Sequence, residues 1–146
     1  MKKIILLIGI LAILYSLLYA GDPPKNIKKA FEKRFTHAKN VVWNQAPTHG
    51  WEAVFTMKGH KTYVNYTIEG IWLVTETDLL IGSLPKAVTD AIILQYPGWT
   101  INKADINESS KAGVIYGVML IKGLETKRVS YREDGTSIND KWSASD

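Results

Sequence analysis

Two glutamates on predicted strands are the residues best placed to carry out acid–base chemistry. Glu52 lies in an alternating segment from Trp51 to Lys58, and Glu76 lies in a strand predicted from Ile71 to Asp78. Strand side chains alternate between the two faces of a sheet, so both carboxylates could project from one face. Such a pair can divide the roles of acid and base, as in a hydrolase. On a sheet surface, however, glutamates are more often solvated partners of lysine or threonine, so the sequence favours a protein that is not an enzyme.

No other motif in the chain predicts catalysis or metal binding. The three histidines, His37, His49 and His60, do not have the spacing of metal ligands. The chain has no cysteine, which excludes thiolate metal sites and disulfides. Phosphate loops, nucleophile elbows and His-Glu-x-x-His helices are also missing from the sequence. We therefore predict no catalytic residue, no metal and no cofactor.

The charge of the chain does not indicate a nucleic-acid partner. The formal net charge is +4 and the sequence pI is about 9.2, but Lys2 and Lys3 contribute two of these charges and belong to a segment that we expect to be removed. Nucleic-acid binding requires a strong, clustered basic excess. The rest of the chain shows none.

The first 20 residues have the layout of a secretory signal peptide. Met1-Lys2-Lys3 is a basic start, Ile4 to Leu18 is almost wholly apolar, and Ala20-Gly21 offers small residues for cleavage. The apolar run is shorter than the roughly 20 residues that a spanning helix requires, and no cysteine follows it that could carry a lipid. We expect a periplasmic or secreted protein whose single domain covers residues 21–146. The alternative is membrane attachment through an uncleaved signal peptide.

Two short helices are predicted, each introduced by a proline and carrying one apolar face. The spacing of the apolar residues matches a period of 3.6 residues, and proline is well tolerated where a helix starts. The first helix is expected from Lys25 to Phe35, and the second ends at Pro97-Gly98. The apolar positions are Ile27, Ala30, Phe31 and Phe35 in the first helix, and Val88, Ala91, Ile92 and Tyr96 in the second. We expect Phe35 and Tyr96 to occupy equivalent core positions.

The helices and the alternating strands that follow them predict an α+β fold. Each helix precedes three to four antiparallel strands, which gives two tandem repeats at about 24–80 and 85–141 with both helices on one face of the sheet. We expect Glu69-Gly70 to form a two-residue hairpin loop, so that Ile68 pairs with Ile71. That pairing would direct Trp72 away from the helices.

The chain resembles the PepSY-like, β-lactamase-inhibitor-like family of exported bacterial proteins. The resemblance is carried by Ala38-Lys39-Asn40-Val41, Trp51-Glu52-Ala53, Trp72-Leu73, Tyr96-Pro97-Gly98 and Asp134-Gly135. It covers essentially the whole chain after the signal peptide, and it implies a β-lactamase-inhibitor-like sheet without established catalytic residues. Two positions depart from the repeat: Gly117 stands where the first repeat has Glu52, and Ser137 stands where it has Trp72.

The sheet face opposite the helices is the predicted site of partner binding, because a contiguous apolar patch commonly marks an interface. We hypothesise a non-catalytic, inhibitor-like binding module that uses this open face against a protein partner in the periplasm. The alternatives are a small-ligand or envelope structural protein and, less favoured, a hydrolase. The predicted contact residues are Val54, Tyr63, Trp72, Val74, Ile115, Met119, Ile121, Arg128 and Arg132.

Overall fold

The computed structural model describes residues 21–46 and 50–138. The predicted signal peptide at residues 1–20, His49 and the tail at residues 139–146 lie outside the described residues. Within the described part of the chain, no helix is both long enough and apolar enough to span a membrane.

Two α-helices, a short 3-10 helix and eight strands make up the described chain. The helices are α1 (Lys25–Arg34) and α2 (Lys86–Gln95), and the 3-10 helix is Ile81–Ser83. The strands are β1 (Lys39–Ala46), β2 (Gly50–Met57), β3 (His60–Tyr66), β4 (Trp72–Leu79), β5 (Thr100–Ser109), β6 (Gly113–Lys122), β7 (Glu125–Tyr131) and β8 (Ser137–Ile138).

Both helices begin directly after a proline and end in the same way. Pro24 and Pro85 are the N-cap residues, where the missing N–H costs nothing because it would have no partner in the helix. At the other end, the backbone N–H groups of Phe35 and Tyr96 each donate to a carbonyl one turn back, over 2.8 Å. The predicted positions of both helices therefore agree closely with the observed ones.

The predicted fold class is wrong. The protein is dominated by one eight-stranded sheet in the order β1 to β8, with strand residues making up 52% and helical residues 20% of the described chain. It is not an assembly of two tandem helix-plus-strand repeats. Sequence similarity between the halves indicated the local elements correctly, but it did not show that eight strands would form one dominant sheet beside only two short helices.

The chain divides into two compact units whose boundary runs through β3 and β4. Among the described residues, the first unit comprises 21–46, 50–59 and 63–73, and the second comprises 60–62 and 74–138. Each unit has its own apolar core. The core of the first unit is formed by Ile27, Phe31, Phe35, Ala53, Phe55, Val64 and Tyr66. The core of the second is formed by Leu84, Val88, Ile92, Ala104, Val118, Leu120, Val129 and Tyr131.

Aromatic rings at the centre of the first core contact one another directly. The ring centroid of Phe31 lies 5.2 Å from that of Phe35, 5.1 Å from that of Trp43 and 5.0 Å from that of Phe55. Tilted and edge-on aromatic pairs at these distances add stabilisation beyond the area they bury. The apolar stripe of α1 is therefore held against the sheet by its phenylalanines.

The turn before β4 has three residues, not the two that we predicted. The backbone N–H of Thr67 donates to the carbonyl of Ile71 over 2.9 Å, which leaves Ile68, Glu69 and Gly70 as the loop. A one-residue change in register moves every side chain of a strand to the other face. As a result, Trp72 packs against the core of the first unit, and the prediction that it faces away from the helices is wrong.

We expect Phe35→Ala to destabilise the protein by about 3–5 kcal/mol, the usual cost of removing a buried phenylalanine ring. Phe35 is buried, and its ring lies 4.9 Å from that of Phe55. Tyr96→Ala should cost less, because Tyr96 is only half-buried. Urea unfolding measures both changes, with Ile93→Ala as the control because Ile93 is an exposed apolar residue of α2. A loss below about 1 kcal/mol at Phe35 would contradict the packing described here.

Candidate functional site

Charged side chains of the second unit gather on the sheet face opposite its apolar core. Strand pairing puts Asp78 opposite Asp105 and Asp105 opposite Gly117, and it puts Glu76 opposite Asn107. In the next row, Met119 pairs with both Lys103 and Arg128. Residues directly opposite each other in antiparallel strands share a face. We call Glu76, Asp78, Lys103, Asp105, Asn107 and Arg128 the charged cluster.

The centre of the charged cluster is a buried carboxylate. Asp105 is only 1% exposed, and its Oδ2 atom accepts hydrogen bonds from Arg128 Nη2 at 2.8 Å and from Asn107 Nδ2 at 2.5 Å. A buried charge is tolerated only when it is paired and hydrogen-bonded. Arg128 and Asn107 therefore make the burial of Asp105 possible.

Gly117 provides the space in which the Asp105–Arg128 ion pair crosses β6. A Cβ atom at this position would lie 2.5 Å from Arg128 Nη2 and closer still to the Asp105 carboxylate. Real Cβ atoms essentially never approach other atoms so closely. The glycine that departs from the sequence repeat is thus explained by the charged side chains on either side of it.

Glu76 and Asp78 extend the charged cluster onto β4. Burial of the Glu76 side chain raises its pKa above 4.5, and repulsion by Asp105 adds to the rise, while Arg128 and Lys103 act in the opposite direction. Asp78 Oδ1 lies 3.2 Å from Lys103 Nζ, although the angles are not those of a hydrogen bond. Three carboxylates therefore share two cations, and Glu76 is the one without a direct partner among the described residues.

Arg128 is held in place by a hydrogen-bonded ion pair and is still accessible to solvent. Its side chain is 47% exposed although it forms an ion pair with a buried carboxylate. A guanidinium has five N–H donors in a fixed plane, and the hydrogen bond to Asp105 uses one of them. The remaining donors can bind a carboxylate or carbonyl oxygen presented to this face. Among the described residues, no group of acidic or histidine side chains is arranged to hold a metal ion.

The structure brings some of the predicted contact residues of the second unit together and separates others from solvent. Met119 and Arg128 are direct neighbours, and Ile121 lies further along the same face of β6, opposite Thr126. Ile115 pairs with Asn107 but is only 2% exposed, so a partner could not contact it without rearrangement. Val74 pairs with Ser109 on β4. Arg132 lies beyond β7, in the turn closed by the hydrogen bond from its N–H to Thr136.

The remaining predicted contact residues, Val54, Tyr63 and Trp72, belong to the first unit. Val54 is half-buried and pairs with Val42. Tyr63 is also half-buried, and its neighbours along β3, Thr62 and Val64, are buried. The ring of Trp72 lies 3.9 Å from the guanidinium carbon of Arg34, in a cation–π contact on the helix side of the sheet.

The two glutamates considered for catalysis lie in different units. Asn44 Nδ2 donates a hydrogen bond of 3.5 Å to Glu52 Oε1 within the first unit. Glu76 belongs to the charged cluster of the second unit, next to Asp78 and Asp105. The partners of Glu76 in the structure are therefore residues that the sequence analysis did not consider with it.

Sequence reasoning missed Lys103, Asp105 and Asn107. Their alternation with Ala104 and Ile106 is visible in the sequence and is the pattern of a strand with one polar face. This pattern indicates which face each residue occupies. It does not reveal that the carboxylate of Asp105 is buried, because that depends on Gly117 and Arg128 of the adjacent strands.

Comparison with solved structures shows the fold. A BLIP-like protein from Bacteroides fragilis is similar to this chain at 25% identity and a TM-score of 0.75, over 83% of this chain and 86% of that one. A DUF2874 family protein from Bacteroides ovatus is similar at 26% identity and a TM-score of 0.74, over 82% and 87% of the two chains. A candidate periplasmic protein from Bacteroides eggerthii is similar at 20% identity and a TM-score of 0.74, over 82% and 88%.

These neighbours support a BLIP-like fold, the fold implied by the family resemblance. No protein-family model and no curated protein sequence matches the chain. The PepSY-like part of the resemblance therefore stays a prediction.

We expect Gly117→Ala to destabilise the protein, because the added methyl group would force Asp105 and Arg128 apart. Overpacking of this kind costs about 1–3 kcal/mol. Gly82→Ala is the matched control, since a Cβ there meets no atom within 4 Å. Thermal or urea unfolding of both variants measures the difference. Equal stability of the two variants would show that the ion pair does not depend on the glycine.

The raised pKa of Glu76 predicts a pH-dependent difference between the wild type and Glu76→Gln. The folded state holds this proton more tightly than the unfolded state, so Glu76 contributes most stability at low pH and loses that contribution as the pH rises above 4.5. The variant should therefore gain stability relative to the wild type as the pH rises. Urea unfolding over a series of pH values tests this, with Glu125→Gln, an exposed residue on β7, as the control. A constant difference across the series would contradict the assignment.

Proposed function

We propose that this protein is an exported, non-catalytic binding module and that the charged cluster of its second unit contacts a protein partner in the periplasm. The observation that carries the proposal is the Asp105–Arg128 ion pair, which presents a half-exposed guanidinium in a fixed position. An arginine already held by an ion pair loses little conformational entropy when a partner binds, and arginine is enriched among the residues that dominate binding energy.

Met119 supports this proposal. It is half-buried and lies directly between Lys103 and Arg128 in the paired strands. Methionine adapts its shape to an apolar surface and is common in interfaces. A partner segment that placed an apolar side chain on Met119 could also offer an oxygen acceptor to Arg128.

A non-catalytic role is supported by the likeness to the BLIP-like protein of Bacteroides fragilis, which is 25% identical over most of both chains. Export is supported by the basic, apolar and small-residue pattern of residues 1–20. The Bacteroides eggerthii neighbour is named for the same compartment, although its likeness shows the fold alone.

Met119→Glu tests the binding face. If the face contacts a partner, a protein captured from envelope extracts by the wild type should be lost or bound at least about tenfold more weakly, equivalent to about 1.4 kcal/mol. Leu124→Glu is the control, because Leu124 is fully exposed in the turn between β6 and β7. Circular dichroism and thermal unfolding establish that each variant is folded.

Arg128→Lys provides a second, milder test if Met119→Glu does not fold. Lysine retains the charge beside Asp105 but cannot offer the planar set of donors that arginine presents. It should weaken capture of the same partner while leaving the fold intact. A partner held equally well by a folded Met119→Glu variant and by Arg128→Lys would remove this face from consideration.

A further inference from the structure

A groove in the first unit, between α1 and β1, has the features of a peptide-binding site. Its volume is about 370 Å³. Helix α1, β1 and the loop between them all contribute to its lining. The groove is lined by Lys28, Phe31, Glu32, Phe35, Thr36, Ala38, Val41 and Trp43. We call it the α1–β1 groove.

Strand β1 lies at the edge of the sheet. It is the first strand in the sheet order and, among the described residues, it pairs only with β2. Its irregular part is confined to one end, where the register shifts between Lys39 and Val42 and Asn40 has a positive φ of 54°. From Val42 to Ala46 the pairing with β2 is regular. The other edge of this regular stretch can accept the backbone hydrogen bonds of an added strand.

The base of the α1–β1 groove is apolar and firmly packed. Phe31 and Phe35 are buried, and both rings contact Phe55 at 4.9–5.0 Å. Trp43 packs edge-on against Phe31 at 5.1 Å. Val41, at the rim, remains 36% exposed. A preformed apolar base of this kind can receive a side chain without first being ordered, which lowers the cost of binding.

The charges beside the groove are predominantly basic. Lys25 and Lys29 are exposed and lie one helical turn apart on the flank of α1, next to the lining residues Lys28 and Glu32. Lys39 is exposed at the start of β1. Lys28 forms an ion pair with Asp22 at 2.9 Å, whereas Lys25, Lys29 and Lys39 have no acidic partner among the described residues. These three lysines outnumber Glu32, the acidic side chain in the lining, so an anionic ligand would be favoured at this surface.

From this geometry we infer that the α1–β1 groove binds an extended, acidic peptide segment of a partner protein. The peptide adds a strand to the free edge of β1. Because strand side chains alternate, every second side chain points towards α1, and an apolar one enters the groove above Phe35 and Val41. Acidic residues of the peptide lie near Lys25, Lys29 and Lys39. The site is in the first unit and is independent of the charged cluster proposed above.

Two matched peptides test this inference on the natively processed protein. One alternates valine and glutamate, and the other alternates valine and lysine. Both are blocked at their ends, fluorescently labelled and long enough to span β1. Fluorescence anisotropy should show binding of the acidic peptide that weakens as salt is added, and at least about tenfold weaker binding of the basic one. Equal binding of the two peptides, or no binding of the acidic one, would overturn the proposal.

Variants of the protein locate the site. Val41→Glu should weaken binding of the acidic peptide at least about tenfold, because it places a like charge at the rim of the groove. Val114→Glu is the matched control, since Val114 is a similarly exposed strand valine of the second unit. A double Lys25→Glu, Lys29→Glu variant should reverse the preference between the peptides. An unchanged preference in a variant that remains folded would contradict the assignment.

Backbone methylation of the peptide distinguishes strand addition from attachment through side chains alone. Methyl groups on alternate nitrogens remove the donors of one peptide edge only. Two methylated peptides are therefore compared, one for each edge. The peptide methylated on the edge that faces β1 should not bind, and the peptide methylated on the opposite edge should bind normally. Equal binding of the two methylated peptides would exclude strand addition. Tighter peptide binding by the Trp142→Ala variant would instead identify the chain's own tail as the occupant of the groove. Peptide binding that falls as protein concentration rises would identify a second copy of the chain. Either result would overturn the inference.

Discussion

Each helix of this protein is only ten residues long, and isolated helices of that length are marginal in water. They persist because Ile27 and Phe31 of α1, and Val88 and Ile92 of α2, are buried against strands of the same unit. The strands in turn need the helices, because one of their faces is apolar and must be covered. Because the helices cover one face of the strands, only strand residues on the other face, or at the sheet edge, can contact a partner.

In the second unit, the residues that alternate with the core form a polar face, and a buried carboxylate organises it. Asp105 can be buried because Arg128 and Asn107 donate to it and because Gly117 leaves room between them. The arrangement orients the Arg128 guanidinium and raises the pKa of Glu76 through burial and repulsion. In the first unit, the edge position of β1 and the basic flank of α1 create a different kind of surface, suited to an extended anionic chain.

The local structure of this protein is predictable from its sequence. The proline starts, the 3.6-residue apolar stripes and the stops at Phe35 and Tyr96 depend only on residues within one helix, and both helices were predicted in nearly their observed positions. Alternation along β2 likewise identified Ala53 and Phe55 as one set, and both are buried. Spacing along a single element is sufficient for such predictions because helix and strand periods are fixed by backbone geometry.

The relations between elements depend on contacts that form only when the chain is folded. The fold class was wrong because sequence similarity between the halves does not specify how the halves combine: eight strands form one dominant sheet, not two helix-plus-strand repeats. Trp72 was assigned to the wrong face because a three-residue turn, closed by Thr67 and Ile71, shifts the register by one. The burial of Asp105 and Ile115 and the need for Gly117 depend on side chains from adjacent strands. These are cross-strand properties, and no period within a single strand encodes them.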